Sequence, residues 1–149
     1  MVEIMKYIFS SGAISDILDV GGFIPEFDEP ITSDSIENRL YGKNYLILVA
    51  RYDGKPIGFK VGYQVSDNQF YSWLGGVTPE HRKMKVASQL RILQEKWAIE
   101  NGYKSISVKS MNKFPAMLQM LISCGYQVSG YESRGSVTSS KIEFTKSFE

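Results

Sequence analysis

The alternation of apolar and polar positions changes period several times along the chain, and each change marks a boundary between elements. Residues Glu3 to Phe9 form a short apolar-rich piece that suits a strand or a helical turn. Ala13 to Val20 has helical spacing and is stopped by Gly21 and Gly22. Phe23 to Pro30, FIPEFDEP, holds two prolines and no regular period, which predicts an ordered loop. Thr32 or Ser33 caps a helix that runs to about Leu40 and ends at Tyr41-Gly42. Tyr45 to Arg51, YLILVAR, is almost wholly apolar, as in a strand buried on both faces. Asp53-Gly54 is a hairpin turn signal. Pro56 to Gln64 then alternates, with Ile57, Phe59, Val61 and Tyr63 on one face. After a turn at Ser66 to Asn68, Phe70 to Val77 supplies a third strand, broken by Pro79.

From Val86 to Asn101 the period becomes helical. Val86, Leu90, Leu93 and Trp97 make one stripe, widened by Ile92 and Ala98, and Gly102 stops the helix. Tyr103 to Lys109 alternates again as a strand. Phe114 to Ser123 is a second amphipathic helix ended by Gly125. Tyr126 to Tyr131 and Lys141 to Thr145 are the last strands, joined by a turn at Gly135 to Ser140. An antiparallel meander, a strand–helix–strand unit, a helix and a closing hairpin predict an α/β (α+β) mixed sheet with helices on both faces. The strand–helix–strand unit predicts a right-handed parallel crossover.

Composition narrows the class without naming a function. The 149 residues suit one domain spanning 1–149, and 43% hydrophobic content is enough to build its core. A formal net charge of +1 gives no reason to expect nucleic acid or an anionic membrane as partner. The single cysteine, Cys124, allows no intrachain disulfide. The single histidine, His81, argues against a zinc centre. The first residues contain no run long enough to span a bilayer, and a cytoplasmic protein is the expectation. The sequence leaves the oligomeric state open and is compatible with a homodimer.

Charge gathers at one junction. His81, Arg82, Lys83, Lys85, Arg91 and Lys96 lie around the start of the first long helix. This cluster reads either as a solvated helix face or as an anion site. The first helical turn offers unpaired N–H groups and a partial positive charge, which suit a phosphate or pyrophosphate. Just before it stands Gly75-Gly76, which reads as a bulge with tight packing or as a locally opened sheet.

The ordered set of these features resembles the GNAT superfamily of acyl-CoA-dependent N-acyltransferases. The carrying residues are Val77-Thr78-Pro79-Glu80-His81 and the signature Arg82-Lys83-Met84-Lys85-Val86-Ala87. Gly102-Tyr103, the strand Ile106 to Lys109, Asn112, the helix Phe114 to Ser123 and Gly125-Tyr126 follow in family order. The likeness spans about Tyr45 to Phe144 and is strongest within Gly75 to Tyr126. It implies a GNAT-like fold: a mainly antiparallel sheet with one parallel strand pair opened at a bulge. It also implies acetyl-CoA as co-substrate and a primary amine of a small molecule or peptide as acceptor.

By the same resemblance, backbone N–H groups of Lys83, Met84, Lys85, Val86 and Ala87 hold the pyrophosphate, with side-chain contacts from Arg82 and Ser88. The pantetheine arm lies between the Phe70–Val77 and Ser105–Lys109 strands and pairs with Gly75, Gly76 and Val77. The Val77 N–H stabilises the oxyanion. Asn112 is either a ligand of the pantetheine or adenosine side, or the N-cap of the following helix. Glu26 and Glu37, in segments that shape the acceptor pocket in this family, and Glu80, near the thioester end of the strand, are the carboxylates considered as base; such residues are more often plain surface charges. Two positions depart from the pattern. Lys85 stands where the first signature glycine is usual, and Leu121 where a tyrosine commonly protonates the leaving thiolate. Tyr63, Tyr71 and Tyr131 are other candidates for that acid. A non-catalytic CoA-binding or regulatory module is therefore the alternative to an enzyme. An α/β domain for a different phosphate ligand is a third reading.

Overall fold

In the computed structural model, which describes residues 6–27 and 29–149, helices and strands follow the order expected. They are β1 (Tyr7–Ser11), α1 (Ile14–Gly21), α2 (Ser33–Leu40), β2 (Tyr45–Tyr52), β3 (Lys55–Gln64), β4 (Gln69–Val77), α3 (Val86–Glu100), β5 (Ser105–Met111), α4 (Pro115–Ser123), β6 (Gln127–Glu132) and β7 (Lys141–Ser147). The strands make one mixed seven-stranded sheet in the order β1-β2-β3-β4-β5-β7-β6. The β4–β5 pair is parallel; the pairs β1–β2, β2–β3, β5–β7 and β6–β7 are antiparallel. No helix among the described residues is long and apolar enough to cross a membrane. The piece expected at Glu3 to Phe9 resolves into strand from Tyr7 onward; residues 3–5 lie outside the described part.

Local chemistry explains the boundaries. Asp53 and Gly54 both have positive φ, 51° and 81°, which is the twist a two-residue hairpin needs between β2 and β3. Thr32, not Ser33, caps α2: its Oγ1 accepts from the Ser35 N–H at 3.1 Å, and the Ser35 hydroxyl accepts from the Thr32 N–H. The two Gly-aromatic pairs have one shared cause. At the end of α3, Gly102 (φ 85°) donates to the Ile99 carbonyl and Tyr103 to the Ala98 carbonyl. At the end of α4, Gly125 (φ 94°) donates to Ile122 and Tyr126 to Leu121. Each is a left-handed glycine stop whose following aromatic is buried.

The chain divides into two compact units. The first comprises Met1–Tyr63 and Leu74–Trp97. Its core includes Leu48, Ala50, Ile57, Val77, Val86 and Leu90, with Tyr7, Phe9, Leu46, Tyr52 and Leu93 packed against it. Ile47 to Ala50 are all buried, as the continuous apolar run of β2 requires. The second comprises Gln64–Trp73 and Ala98–Glu149. Phe70, Ile106 and Phe144 are its fully buried anchors, and Tyr103 packs against Phe70 in a tilted ring pair with centroids 5.3 Å apart. Its parallel ladder registers Gln69–Ser72 with Ser105–Val108.

Candidate active site

The site is built around the connection from β4 to α3, in the first unit. Both ends of this connection are fastened in the same core cluster, by Val77 and by Val86. Burying a valine side chain contributes about 1.5–3 kcal/mol, so the loop between them is pinned at two points. A 3-10 turn, Pro79–His81, forms its first half. That turn is fixed by aromatic packing: Tyr7 Oη lies 2.7 Å from His81 Nδ1, and the Tyr52 ring centroid is 4.9 Å from the imidazole.

The second half of the loop has unusual backbone. Lys83 and Lys85 adopt left-handed conformations, with φ 65° and 64°. Such values are uncommon outside glycine, asparagine and aspartate. Lys85, which stands where the resembled signature has glycine, thus holds a backbone conformation that glycine adopts without steric cost. Lys83 does the same at a position where the sequence carries no signal for it. Helix α3 begins at Val86, and the Gln89 N–H already bonds to the Lys85 carbonyl. The N–H groups of Val86, Ala87 and Ser88 belong to the first turn, which has no carbonyl one turn back. Lys83, Met84, Lys85, Ala87 and Ser88 are exposed, while Val86 is buried. Small Ala87, two exposed lysines and first-turn amides thus lie together at the start of α3, the combination of groups that attracts anions in proteins generally.

Arg82 is committed within the protein. Its Nε donates to the Val77 carbonyl at 3.0 Å, and its guanidinium makes a bidentate pair with Glu26 at 2.8 and 2.9 Å. Hydrogen bonding from Arg82 holds the Glu26 carboxyl below its usual range, against a smaller opposing effect of burial. Arg82 therefore braces the loop against the segment after α1, and Glu26 is a weak base in this pairing. Glu80 is exposed in the 3-10 turn.

Gly75 and Gly76 each have a packing reason. A Cβ at Gly75 would meet the Phe59 carbonyl oxygen at 3.2 Å; one at Gly76 would meet the Ile24 side chain at 3.2 Å. A side chain at either position would therefore need its neighbour to give by a few tenths of an ångström, the strand backbone at Gly75 and the Ile24 side chain at Gly76.

In the second unit, Asn112 does not cap α4. The N-cap is Phe114, and Asn112 Nδ2 instead donates to the Val137 carbonyl at 3.1 Å. Leu121 is buried, so α4 carries no acid at that place. Tyr71 lies under the Lys109 ammonium and Tyr131 is exposed. In the first unit, Tyr63 accepts from Arg39 at 3.2 Å.

Comparisons with known proteins give the same family. The family model described as "Acetyltransferase (GNAT) domain" matches residues 17–108. A search among curated proteins by sequence finds no match. Among solved structures, Ard1 from Thermoplasma volcanium superposes with a TM-score of 0.82 at 18% identity, over 95% of this chain and 97% of that one. The ribosomal-protein-S18-alanine N-acetyltransferase from Escherichia coli gives 0.81 at 13% identity, over 96% and 94%. A GNAT family acetyltransferase from Elizabethkingia anophelis, with acetyl-CoA bound, gives 0.77 at 13% identity, over 96% and 99%. At these identities the structures speak for the fold alone. The family match covers more than half of the chain, and on it the protein belongs to the GNAT acetyltransferase family.

Proposed function

We propose that this protein transfers an acetyl group from acetyl-CoA to a primary amine of a small molecule or peptide. The observation that carries the proposal is the β4–α3 connection: a loop pinned at Val77 and Val86, left-handed at Lys83 and Lys85, opening onto the first turn of a helix. In this reading the N–H groups of Lys83 to Ala87 hold the pyrophosphate, and Lys83 and Lys85 add charge. Arg82 shapes the loop through Glu26 and Val77, and Ser88 and Met84 border the bound phosphates. The backbone of Gly75 to Val77 pairs with the pantetheine amides.

The neutral amine attacks the thioester carbonyl carbon, the Val77 N–H stabilises the oxyanion, and the C–S bond breaks as the carbonyl re-forms. The amine's proton passes to a carboxylate or to water. Glu26 is held by Arg82, so Glu80 is the carboxylate we assign to that role. A thiolate is a tolerable leaving group, so Leu121 does not forbid turnover. The buried Leu121 is the observation that favours the second reading, a CoA-binding module without catalysis.

Thiol release from acetyl-CoA with a panel of peptide and small-molecule amines tests the proposal. Binding without release across the panel supports the module. A melting temperature unmoved by acetyl-CoA but raised by another nucleotide supports the third reading, a site for a different phosphate ligand. Replacing Ala87 with tryptophan should weaken CoA binding at least about tenfold, or about 1.4 kcal/mol. Unchanged affinity removes the pyrophosphate from this loop.

A further inference from the structure

Away from the β4–α3 loop, the first unit buries a polar cluster that the acetyl-transfer reading does not use. Gln94 is 0% exposed, and neither its Oε1 nor its Nε2 has a hydrogen-bond partner among the described residues. Arg91 Nε, one turn earlier on α3, is likewise buried without a partner, while Arg91 Nη1 donates to Glu95 at 3.0 Å. Arg91, Gln94 and Glu95 stand at i, i+3 and i+4, on one face of the helix. Lys60 of β3 interacts electrostatically with both Arg91 and Glu95. Its stem runs beside Gly75, where a Cβ would lie 3.5 Å from Lys60 Cγ.

The unmet hydrogen bonding is mostly of one kind. The Gln94 amide offers two N–H donors and Arg91 Nε a third, against the single Gln94 carbonyl acceptor. The Lys60 ammonium adds to the donors. Among these three side chains, Lys60 and Arg91 outnumber Glu95 by one positive charge while Lys60 is protonated. Buried polar groups almost always find partners, so something that accepts hydrogen bonds belongs here.

We propose that the cluster of Lys60, Arg91 and Gln94 binds a small monovalent anion of the halide type between β3 and α3. A halide accepts from several N–H donors at once and cancels the excess charge. A water would meet the donors but leave the charge. Occupancy ties α3 to the sheet behind the loop, so the anion acts on the rigidity of the fold. Binding weakens as Lys60 loses its proton, since desolvation and then Arg91 lower its amine to about 8. The charged groups facing it are Arg91 and Glu95, both from α3, and β4 turns Gly75 towards it.

Crystals of the native protein grown in bromide decide the matter. An anomalous peak within hydrogen-bond distance of Gln94 Nε2 and Arg91 Nε is expected. Native protein should also melt about 2–4 °C higher in sodium chloride than in sodium gluconate at equal ionic strength. That difference should vanish in Gln94→Leu and in Lys60→Met. No anomalous density at the cluster, or equal native melting temperatures in the two salts, overturns the proposal. Because the map and the salt comparison use native protein, a variant that fails to fold leaves the test intact.

Discussion

Replacing Lys85 with glycine should stabilise the protein, although lysine to glycine usually destabilises. Lys85 sits at φ 64°, where a side chain crowds the following carbonyl. A residue with a Cβ held there costs roughly 1–2 kcal/mol. Glycine removes that cost but adds unfolded-chain freedom, which takes back about 0.4–1 kcal/mol. The Lys85 side chain is exposed, so no core packing is lost. The net gain is about 0.5–1 kcal/mol, or about 1–4 °C in melting temperature for a chain of this length. Lys85→Ala is the control: it keeps the Cβ, keeps the strain, and should melt close to the native protein. Urea unfolding with an unchanged m-value gives the free energies directly. The reasoning fails if glycine melts no higher than alanine. Affinity for CoA should fall only slightly in both variants. An exposed charge contributes about 0.2–1 kcal/mol, and the backbone amides remain in place.

Three smaller predictions follow from other contacts. Glu26→Gln removes the bidentate pair with Arg82, whose side chains are 47% and 37% exposed, so solvent screening limits the loss to about 1 kcal/mol. Because the folded state lowers the Glu26 pKa, that stability is present above about pH 4.3 and is lost as pH falls through the folded value; urea unfolding of both proteins should converge in acid. Lys60 titrates near 8 in the folded state and near 10.4 unfolded, so the unfolded chain binds the extra proton between these values and stability rises with pH there. In halide-free buffer the native protein should gain up to about 3 kcal/mol over that window relative to Lys60→Met, and a parallel pair of pH profiles would refute the assignment. Thr32→Ala should cost about 1 kcal/mol through loss of the α2 cap, with Thr32→Ser near neutral by thermal melting.

Period and punctuation made most of the fold readable. The apolar run of β2, the Asp53-Gly54 turn and the glycine stops at Gly102 and Gly125 each act over a few residues, and local physics settles them. Where an element depended on distant partners, sequence said less. The first strand was ambiguous because Tyr7 to Ser11 is defined by its ladder to Leu48–Tyr52, not by its own period. Asn112 has a good capping side chain, yet its amide goes to the β6–β7 connection and Phe114 takes the cap position. The pairing of Arg82 with Glu26 spans 56 residues, and no local pattern announces it. Gln94 gave no signal, since Leu93 continues the apolar stripe of α3 from Leu90 to Trp97 beside it, and a glutamine next to such a stripe reads as a surface residue.

The lysines in the loop show why the site was only half legible. A glycine in the family signature marks a place where left-handed backbone costs nothing; it does not create that backbone. Here Val77 and Val86 hold the two ends in one core and Arg82 braces the middle, so the path between them is dictated by packing. Two buried valines contribute about 3–6 kcal/mol together. Two left-handed lysines cost about 2–4 kcal/mol. The anchors can therefore carry the strain, and the loop keeps its shape with the wrong residues in it. A signature reads the inexpensive solution to a backbone requirement. When the surrounding core enforces the same requirement, the residue is released to supply charge, and the geometry outlasts the motif.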